Sequence, residues 1–473
     1  MNLGRMLSPV LFPLLAALCA CSTQSPLEPD GRLGSDGQVA PDTGARSDLG
    51  APEVPSIRFL DAKQQAVTSI YIDDPVTVQL AGLVPSREVT VTALMAPWKS
   101  SAVFKAAADG TVDTARDAPI SGTYSGVDPD GLFWSMDTTQ FEYAKSADVV
   151  FEAVQSGTPT LRATLVRTVT VPGITQIVPD DKGLVGVLVL PPGQGPFAGI
   201  LAFGGSEGGI SGGMGYAGEL VPRGYAVLAV AYFGESGLPA TLKEVPLEYF
   251  DKALDWFSKR PEIDGSRLAV IGGSRGGELS LLLAARRKDL KAAVADVPSG
   301  YVWGGTTAGA AGWTSAGQPL PYVPWHGHMG TTVAMPNGGT ATASTPAFQD
   351  DIAKSTPAEL EAARIRVEDS STAIAMFAGA DDQMWPSCQL AKVAMDQLTA
   401  SGHAKAHPDE LTCFEKAGHL ISSVGLPTTW TMFTRSPSGT DYWALGGTPA
   451  GNAHAGRERQ KRLLKFLERA LKP

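Results

Sequence analysis

Basic residues, long apolar runs and cysteine are all in short supply in this sequence. Lysine and arginine number 38 against 48 aspartates and glutamates, a formal net charge of −10. No basic stripe is available for a phosphate backbone, which argues against nucleic acid as the main ligand. Nor is there a general electrostatic pull toward anionic substrates. No stretch reaches 18 uninterrupted apolar residues, so no helix is expected to span a bilayer. Four cysteines in 473 residues cannot staple a miniprotein. With the 6 histidines they show no zinc-ligand spacing, so neither a metal nor a cofactor is expected. What is present is 43% hydrophobic residues, enough to exclude wholesale disorder and to fill the cores of two or three domains.

The N-terminus reads as an address. Arg5 stands without an acid among residues 1–6, and residues 7–20 (LSPVLFPLLAALCA) form a short apolar run. That is a secretory signal rather than a buried helix, which Pro9 and Pro13 would interrupt. Leu18-Cys19-Ala20-Cys21 resembles a bacterial lipobox, which makes Cys21 the expected lipidation site and new N-terminus. Ser22 after it favours an outer-membrane destination facing the periplasm or cell surface. A multiply acylated cysteine holds a membrane firmly where one chain would not. Residues 21–54 hold six acids, two bases and almost no large apolar side chain, and are expected to form a disordered tether.

Two ordered regions follow, 55–170 and 171–473. The first alternates in short runs, 76–80 (VTVQL), 88–94 (EVTVTAL), 101–106 and 149–154 (VVFEAV), the texture of a β-sandwich. Trp98, Phe104, Tyr124, Phe133 and Trp134 are its candidate core. The second has near-continuous apolar runs at 199–203, 226–231, 268–271, 292–297 and 374–378, as strands covered on both faces do. Helical periods separate them, at 247–259, 278–287, 388–401 and 457–471. Alternating strands and helices predict a parallel sheet with helices on both faces, an α/β fold. Residues 304–339, rich in Gly, Thr, Pro and Trp, have no clear period and are expected to be an insertion above the sheet.

Gly-x-Ser-x-Gly marks a nucleophile elbow, and the chain has two matches, centred on Ser206 and Ser274. An elbow needs a helix immediately after its serine. Residues 276–285 after Ser274 can be helical; EGGISGG after Ser206 hardly can, since each interior glycine costs about 1 kcal/mol. Ser274 is therefore the candidate nucleophile. Arg275 supplies one oxyanion-hole N–H, and the Gly-rich loop with Gly205 and Ser206 the other. That loop lacks the Lys-Ser/Thr of a phosphate cradle.

The base must be a histidine beyond Ser274, with an acid between. His419 follows a strand and a turn, the position such a base takes. His403 and His407 lie in a polar connection expected to be solvated, His326 and His328 in the insertion, and His454 before the last helix. After the strand at 374–378 comes Gly379-Ala380-Asp381-Asp382, whose spacing to the following proline favours Asp382 as the orienting acid over Asp381.

These residues resemble the acyl-CoA thioesterase and bile acid-CoA:amino acid N-acyltransferase family. The resemblance rests on Gly82-Leu83-Val84-Pro85, Ala118-Pro119-Ile120-Ser121-Gly122 and Gly131-Leu132-Phe133-Trp134 in the first region. In the second it rests on Gly272-Gly273-Ser274-Arg275-Gly276-Gly277, Asp381-Asp382-Gln383-Met384-Trp385-Pro386 and Ala417-Gly418-His419, and it extends to Gly446-Gly447. It implies an immunoglobulin-like sandwich followed by an α/β-hydrolase domain, a triad of Ser274, Asp382 and His419, and an acyl thioester as small-molecule substrate. Serine in place of cysteine favours hydrolysis over transfer to an amino acid. The family acts inside cells, however, whereas this chain carries an export signal. That keeps open an exported carboxylesterase, amide hydrolase or N-acyltransferase with a non-CoA substrate, and a lipoprotein that binds ligand without chemistry. Oligomeric state is not legible. Cys388 follows the Asp382 loop and Cys413 precedes His419, so the two could form a disulfide or remain free thiols.

Overall fold

The computed structural model describes residues 54–138, 146–336, 338–422, 424–436 and 441–472. The expected signal, tether and Cys21 lie outside the described residues. Among those residues no helix is long and apolar enough to cross a membrane.

The first region is a sandwich of two sheets. One has four strands in the order Ala66–Val67, Ser56–Leu60, Thr77–Ala81, Val112–Asp113. The other has six, in the order Ser69–Tyr71, Leu161–Thr168, Val149–Val154, Glu88–Met95, Trp98–Lys105, Ser121–Gly122. Alternation drives the packing: Val89, Val91, Ala93 and Met95 of Glu88–Met95 are buried and the residues between them are not. Phe59 of one sheet meets Phe151 of the other at 5.2 Å between ring centroids. Phe104, Tyr124, Phe133 and Trp134 are in this core, and Trp98 packs at its edge.

The second region is built on one eight-stranded sheet. Its strands are β1 (Thr175–Ile177), β2 (Val185–Leu190), β3 (Phe197–Phe203), β4 (Ala226–Ala231), β5 (Ile263–Gly273), β6 (Leu290–Asp296), β7 (Ala373–Gly379) and β8 (Glu410–Phe414). The spatial order is β1-β2-β4-β3-β5-β6-β7-β8. β1 and β2 run antiparallel to their neighbours, and every pair from β4 to β8 is parallel. All of β4 and β7 is buried, which explains their unbroken apolar texture. Helices α1 (Ser211–Leu220) and α5 (Pro449–Ala470) cover one face. Helices α2 (Glu248–Ser258), α3 (Arg275–Arg286) and α4 (Ser387–Ala400) cover the other.

Two expectations need correction, and the insertion gains detail. A helix does follow the Ser206 loop: α1 begins at Ser211 and includes Gly212 and Gly213. Packing overrides propensity here, since a Cβ on Gly213 would lie 2.7 Å from the Ala202 carbonyl oxygen. The last helix starts at Pro449 rather than 457, capped by Thr448, whose hydroxyl accepts from the Gly451 N–H, so His454 lies within it. The insertion is partly ordered as short strands. Trp313–Ser315 and Gln318–Pro319 join Val245–Pro246, and Thr331–Ala334 and Thr340–Ala343 join Tyr442–Ala444 and Phe433–Arg435.

Candidate active site

The parallel strands deliver four loops to one edge of the sheet, the edge at their carboxyl ends, where open α/β sheets hold their ligands. After β5 comes Ser274, the single residue between strand and helix α3. Its backbone sits at φ 57°, ψ −121°, a conformation that L-residues avoid. Two hydrogen bonds hold the strain. The Ser274 N–H donates to the Asp296 carbonyl at 2.9 Å, and the Glu278 N–H closes the first helical bond onto the Ser274 carbonyl at 3.0 Å. The flanking glycines let neighbouring chain in: a Cβ on Gly272 would lie 2.6 Å from the Gly276 oxygen, and one on Gly276 only 2.4 Å from the Gly204 oxygen. The Arg275 N–H, in the first turn of α3, has no hydrogen-bond partner among the described residues.

After β3 comes Gly204-Gly205-Ser206, and it touches the elbow. A Cβ on Gly205 would stand 3.0 Å from Ser274 Cβ and 2.9 Å from the Gly273 oxygen. The two candidate donors of this loop differ in state. Gly205 N–H donates to both carboxylate oxygens of Glu207 at 2.9 Å, whereas Ser206 N–H has no partner among the described residues. Tyr232, at the end of β4, donates its hydroxyl to the Gly204 oxygen at 2.9 Å and to the Gly205 oxygen at 3.1 Å.

The loops after β7 and β8 bring Asp382 and His419 together, both buried, with His419 Nδ1 2.8 Å from Asp382 Oδ2. The other carboxylate oxygen of Asp382 accepts from the Met384 N–H at 2.9 Å and the Trp385 N–H at 3.3 Å. Asp381, by contrast, is exposed and accepts from the Gly447 N–H at 3.1 Å. Between the two acids it is Asp382 that faces the imidazole. Trp385 presents its ring edge-on to His419 at 6.1 Å. The His419 N–H donates to the Leu445 oxygen at 2.7 Å, and the Gly446-Gly447 turn bridges Asp382 to Gly446 and Ala417 to Gly447. Among the described residues no hydrogen bond joins Ser274 Oγ to His419. The structure joins Asp382 to His419, and brings the Gly204-Gly205-Ser206 loop against Ser274.

Next to Ser274, Arg275 donates its guanidinium to the Gly304 oxygen at 2.7 Å and the Trp303 oxygen at 2.9 Å. It also meets Glu278 Oε1 at 3.2 Å. Glu278 is fully buried, and burial pushes its carboxyl up to about 7 against the pull of Arg275. Beyond Asp296, whose carbonyl holds the Ser274 N–H, Arg459 of α5 donates to both oxygens of the Asp296 carboxylate at 3.0 and 2.7 Å and to Glu219 at 2.6 Å.

Several of these groups escape sequence reasoning. Glu207, Glu278 and Arg459 look like ordinary surface charges in their local patterns. Asn452, whose side-chain oxygen accepts from the Gly418 N–H at 2.8 Å, sits next to His454 without a motif of its own. The only signal for Asn452 was its place just after Gly446-Gly447. His403 also departs from expectation. It is buried rather than solvated, with Nδ1 2.6 Å from Asp409 Oδ2 and Nε2 3.1 Å from the Ser370 oxygen. Ser370 lies 33 residues away in sequence, beyond the reach of a local reading. Cys388 and Cys413 are joined in a disulfide, with Cα atoms 5.7 Å apart. Among the described residues no group of three metal-ligating side chains converges.

A doubly wound sheet carrying a strained serine turn after its fifth strand defines the α/β-hydrolase class, here an enzyme fronted by a β-sandwich. Two family models match the chain. "BAAT / Acyl-CoA thioester hydrolase C terminal" covers residues 245–473, and "Acyl-CoA thioester hydrolase/BAAT N-terminal region" covers residues 73–178. The chain belongs to this acyl-CoA thioester hydrolase/BAAT family, and it is a hydrolase. Among similar proteins, mouse acyl-coenzyme A thioesterase 5 is 29% identical over 420 residues, covering 84% of this chain and 94% of that one. Mouse bile acid-CoA:amino acid N-acyltransferase is 28% identical over 436 residues, covering 87% and 98%. A solved α/β-hydrolase from a Medee basin deep-sea metagenome library overlaps loosely, at 14% identity and a TM-score of 0.38, over 63% of this chain and 98% of that one.

Proposed function

We propose that this protein is a serine-nucleophile thioester hydrolase that cleaves an acyl-CoA to free fatty acid and CoA. The observation that carries the reading is the buried Asp382–His419 pair on the same sheet edge as the strained Ser274 turn. Asp382 accepts the Nδ1 proton of His419, which leaves Nε2 as the basic nitrogen. His419 takes the Ser274 hydroxyl proton as Oγ adds to the thioester carbonyl. The oxyanion is received by the Arg275 N–H and the Gly205/Ser206 loop, each donor being worth about 2.7–4 kcal/mol in such sites. The C–S bond breaks as His419 returns the proton to the leaving thiolate, so CoA departs as its thiol. Water, deprotonated by His419, then adds to the acyl-enzyme. Its ester C–O bond breaks, Ser274 regains its proton, and the carboxylic acid leaves. No step calls on a metal or a cofactor.

The lipobox favours a second element of the reading. We infer that the chain is exported and anchored through Cys21 at the outer membrane, with residues 21–54 as the tether. In that setting the substrate can equally be a thioester, carboxylic ester or amide met outside the cytoplasm. Incubating the purified protein without its first 20 residues with acyl-CoAs and p-nitrophenyl esters of graded chain length separates these substrates. Hydrolysis lost in Ser274→Ala with the fold intact supports the mechanism. Retained hydrolysis in that variant rejects it, and no turnover of any substrate by the wild type favours a ligand-binding lipoprotein. Incorporation of labelled palmitate, lost in Cys21→Ser, tests the anchor.

A further inference from the structure

The Ser206 loop holds a carboxylate that the mechanism above does not use. Glu207 folds its side chain back beneath the loop, with both oxygens 2.9 Å from the Gly205 nitrogen. The pocket it fills is made by glycines. A Cβ on Gly204 would lie 2.2 Å from Glu207 Oε1, one on Gly212 2.5 Å from the same oxygen, and one on Gly205 3.1 Å from Oε2. That last point, 3.1 Å from the carboxylate, is also 3.0 Å from Ser274 Cβ, so the carboxylate reaches the nucleophile's immediate surroundings. One side of Glu207 is open to solvent.

The opposite side of the loop is held by Tyr232, whose hydroxyl takes the carbonyl oxygens of both Gly204 and Gly205. In a trans peptide the N–H points opposite to the C=O. The Gly204–Gly205 peptide is therefore gripped at both ends, its oxygen by Tyr232 and its N–H by Glu207. The next peptide has its oxygen on Tyr232, which turns the Ser206 N–H away from Tyr232 and leaves it without a partner. Two N–H groups flanking Ser274 remain unpartnered among the described residues, those of Ser206 and Arg275.

We propose that Glu207 is a positioning residue for the oxyanion site. Its carboxylate occupies the Gly205 N–H and fixes the loop so that the Ser206 N–H, with that of Arg275, receives the developing oxyanion. This rests on the serine-hydrolase reading and sharpens it, since it removes Gly205 from the donor pair. A side chain at position 204 would take the carboxylate's place, and one at position 212 would meet both the carboxylate and the Gly204 backbone.

Two conservative variants separate reach from charge. Glu207→Gln keeps an oxygen acceptor at the same length and loses the charge; Glu207→Asp keeps the charge and shortens the reach. Steady-state hydrolysis of a p-nitrophenyl ester should show Glu207→Gln within about threefold of wild-type kcat. Glu207→Asp should lose about tenfold to a hundredfold in kcat, less than removal of a donor outright, with KM little changed. Ser274 labelling by a fluorophosphonate should slow in the same order, and thermal unfolding should match wild type for both. The reverse order, with aspartate active and glutamine impaired, overturns the proposal by showing that charge is what matters. Equal or higher kcat in Glu207→Asp overturns it too, since the freed Gly205 N–H would then be a donor in its own right. Wild-type protein that the fluorophosphonate does not label at Ser274 points instead to failure of the underlying hydrolase reading.

Discussion

Glu278 offers a sharp quantitative test of how the strained Ser274 turn is supported. It has no exposed surface, and all its donors converge on one oxygen. Trp313 Nε1 lies at 2.6 Å from Oε1, Arg275 Nη2 at 3.2 Å and the Trp303 N–H at 3.4 Å. Oε2 has no partner among the described residues. An ionised carboxylate so placed is half unsolvated, and burial pushes the carboxyl up to about 7 from an ordinary value of 4.5. Because the folded-state value is raised, the folded protein holds a proton that the unfolded chain releases between those limits. The contribution to stability is complete below pH 4.5 and is lost as pH rises through 7. Each tenfold difference in proton affinity between the folded and unfolded chain is worth about 1.36 kcal/mol, so the loss between pH 5 and 8 is about 2–3 kcal/mol. Glu278→Gln keeps the Oε1 acceptor for Trp313 and cannot ionise. Urea unfolding of both proteins across this range isolates the effect, because every other titrating group is shared. Relative to the variant, the wild type should weaken by that amount as pH rises. A stability difference that stays constant from pH 5 to 8 would show that Glu278 does not hold its proton in this way.

Other consequences are more direct. Asp382→Asn removes the carboxylate from His419 Nδ1 and should lower kcat by about 10⁴ while leaving the fold intact; circular dichroism alongside kinetics checks both. Reducing the Cys388–Cys413 disulfide, which closes a sequence separation of 25, should cost about 3 kcal/mol in urea unfolding and add two hydrogens to the intact mass. Arg459→Met leaves the Asp296 and Glu219 carboxylates without their shared cation, and should cost about 3–5 kcal/mol by the same measurement.

The architecture was legible because burial on two faces leaves a mark that needs no alignment. The runs at 226–231 and 374–378 are apolar throughout, and they are β4 and most of β7. Ser274 was legible because its strand, its glycines and its helix are contiguous. Asp382 could be favoured over Asp381 by spacing alone; in the structure Asp382 meets His419 and Asp381 meets the Gly447 N–H. What escaped depends on contacts distant in sequence or on backbone direction. Residue types alone do not distinguish His403 from a solvated histidine, because Ser370 reaches it from 33 residues away and the turn of the chain, not the sequence, aims Asp409 back at it. Helix α1 was missed since its glycines disfavour a helix in isolation, yet Gly212 and Gly213 are where Glu207 and β3 pack closely against it. Glu207 itself was read only as part of a run unfit for a helix. Its meaning lies in the direction of one N–H bond, which residue types do not encode.

The serine-hydrolase reading meets its most direct test in the release of free thiol from an acyl-CoA series by the purified protein. Ser274→Ala is run beside the wild type, and the site of fluorophosphonate labelling is mapped by mass. The expected result is thiol release by the wild type, none by the variant, and a label on Ser274 alone. Thiol release that survives in Ser274→Ala, or a label placed on Ser206, would contradict it.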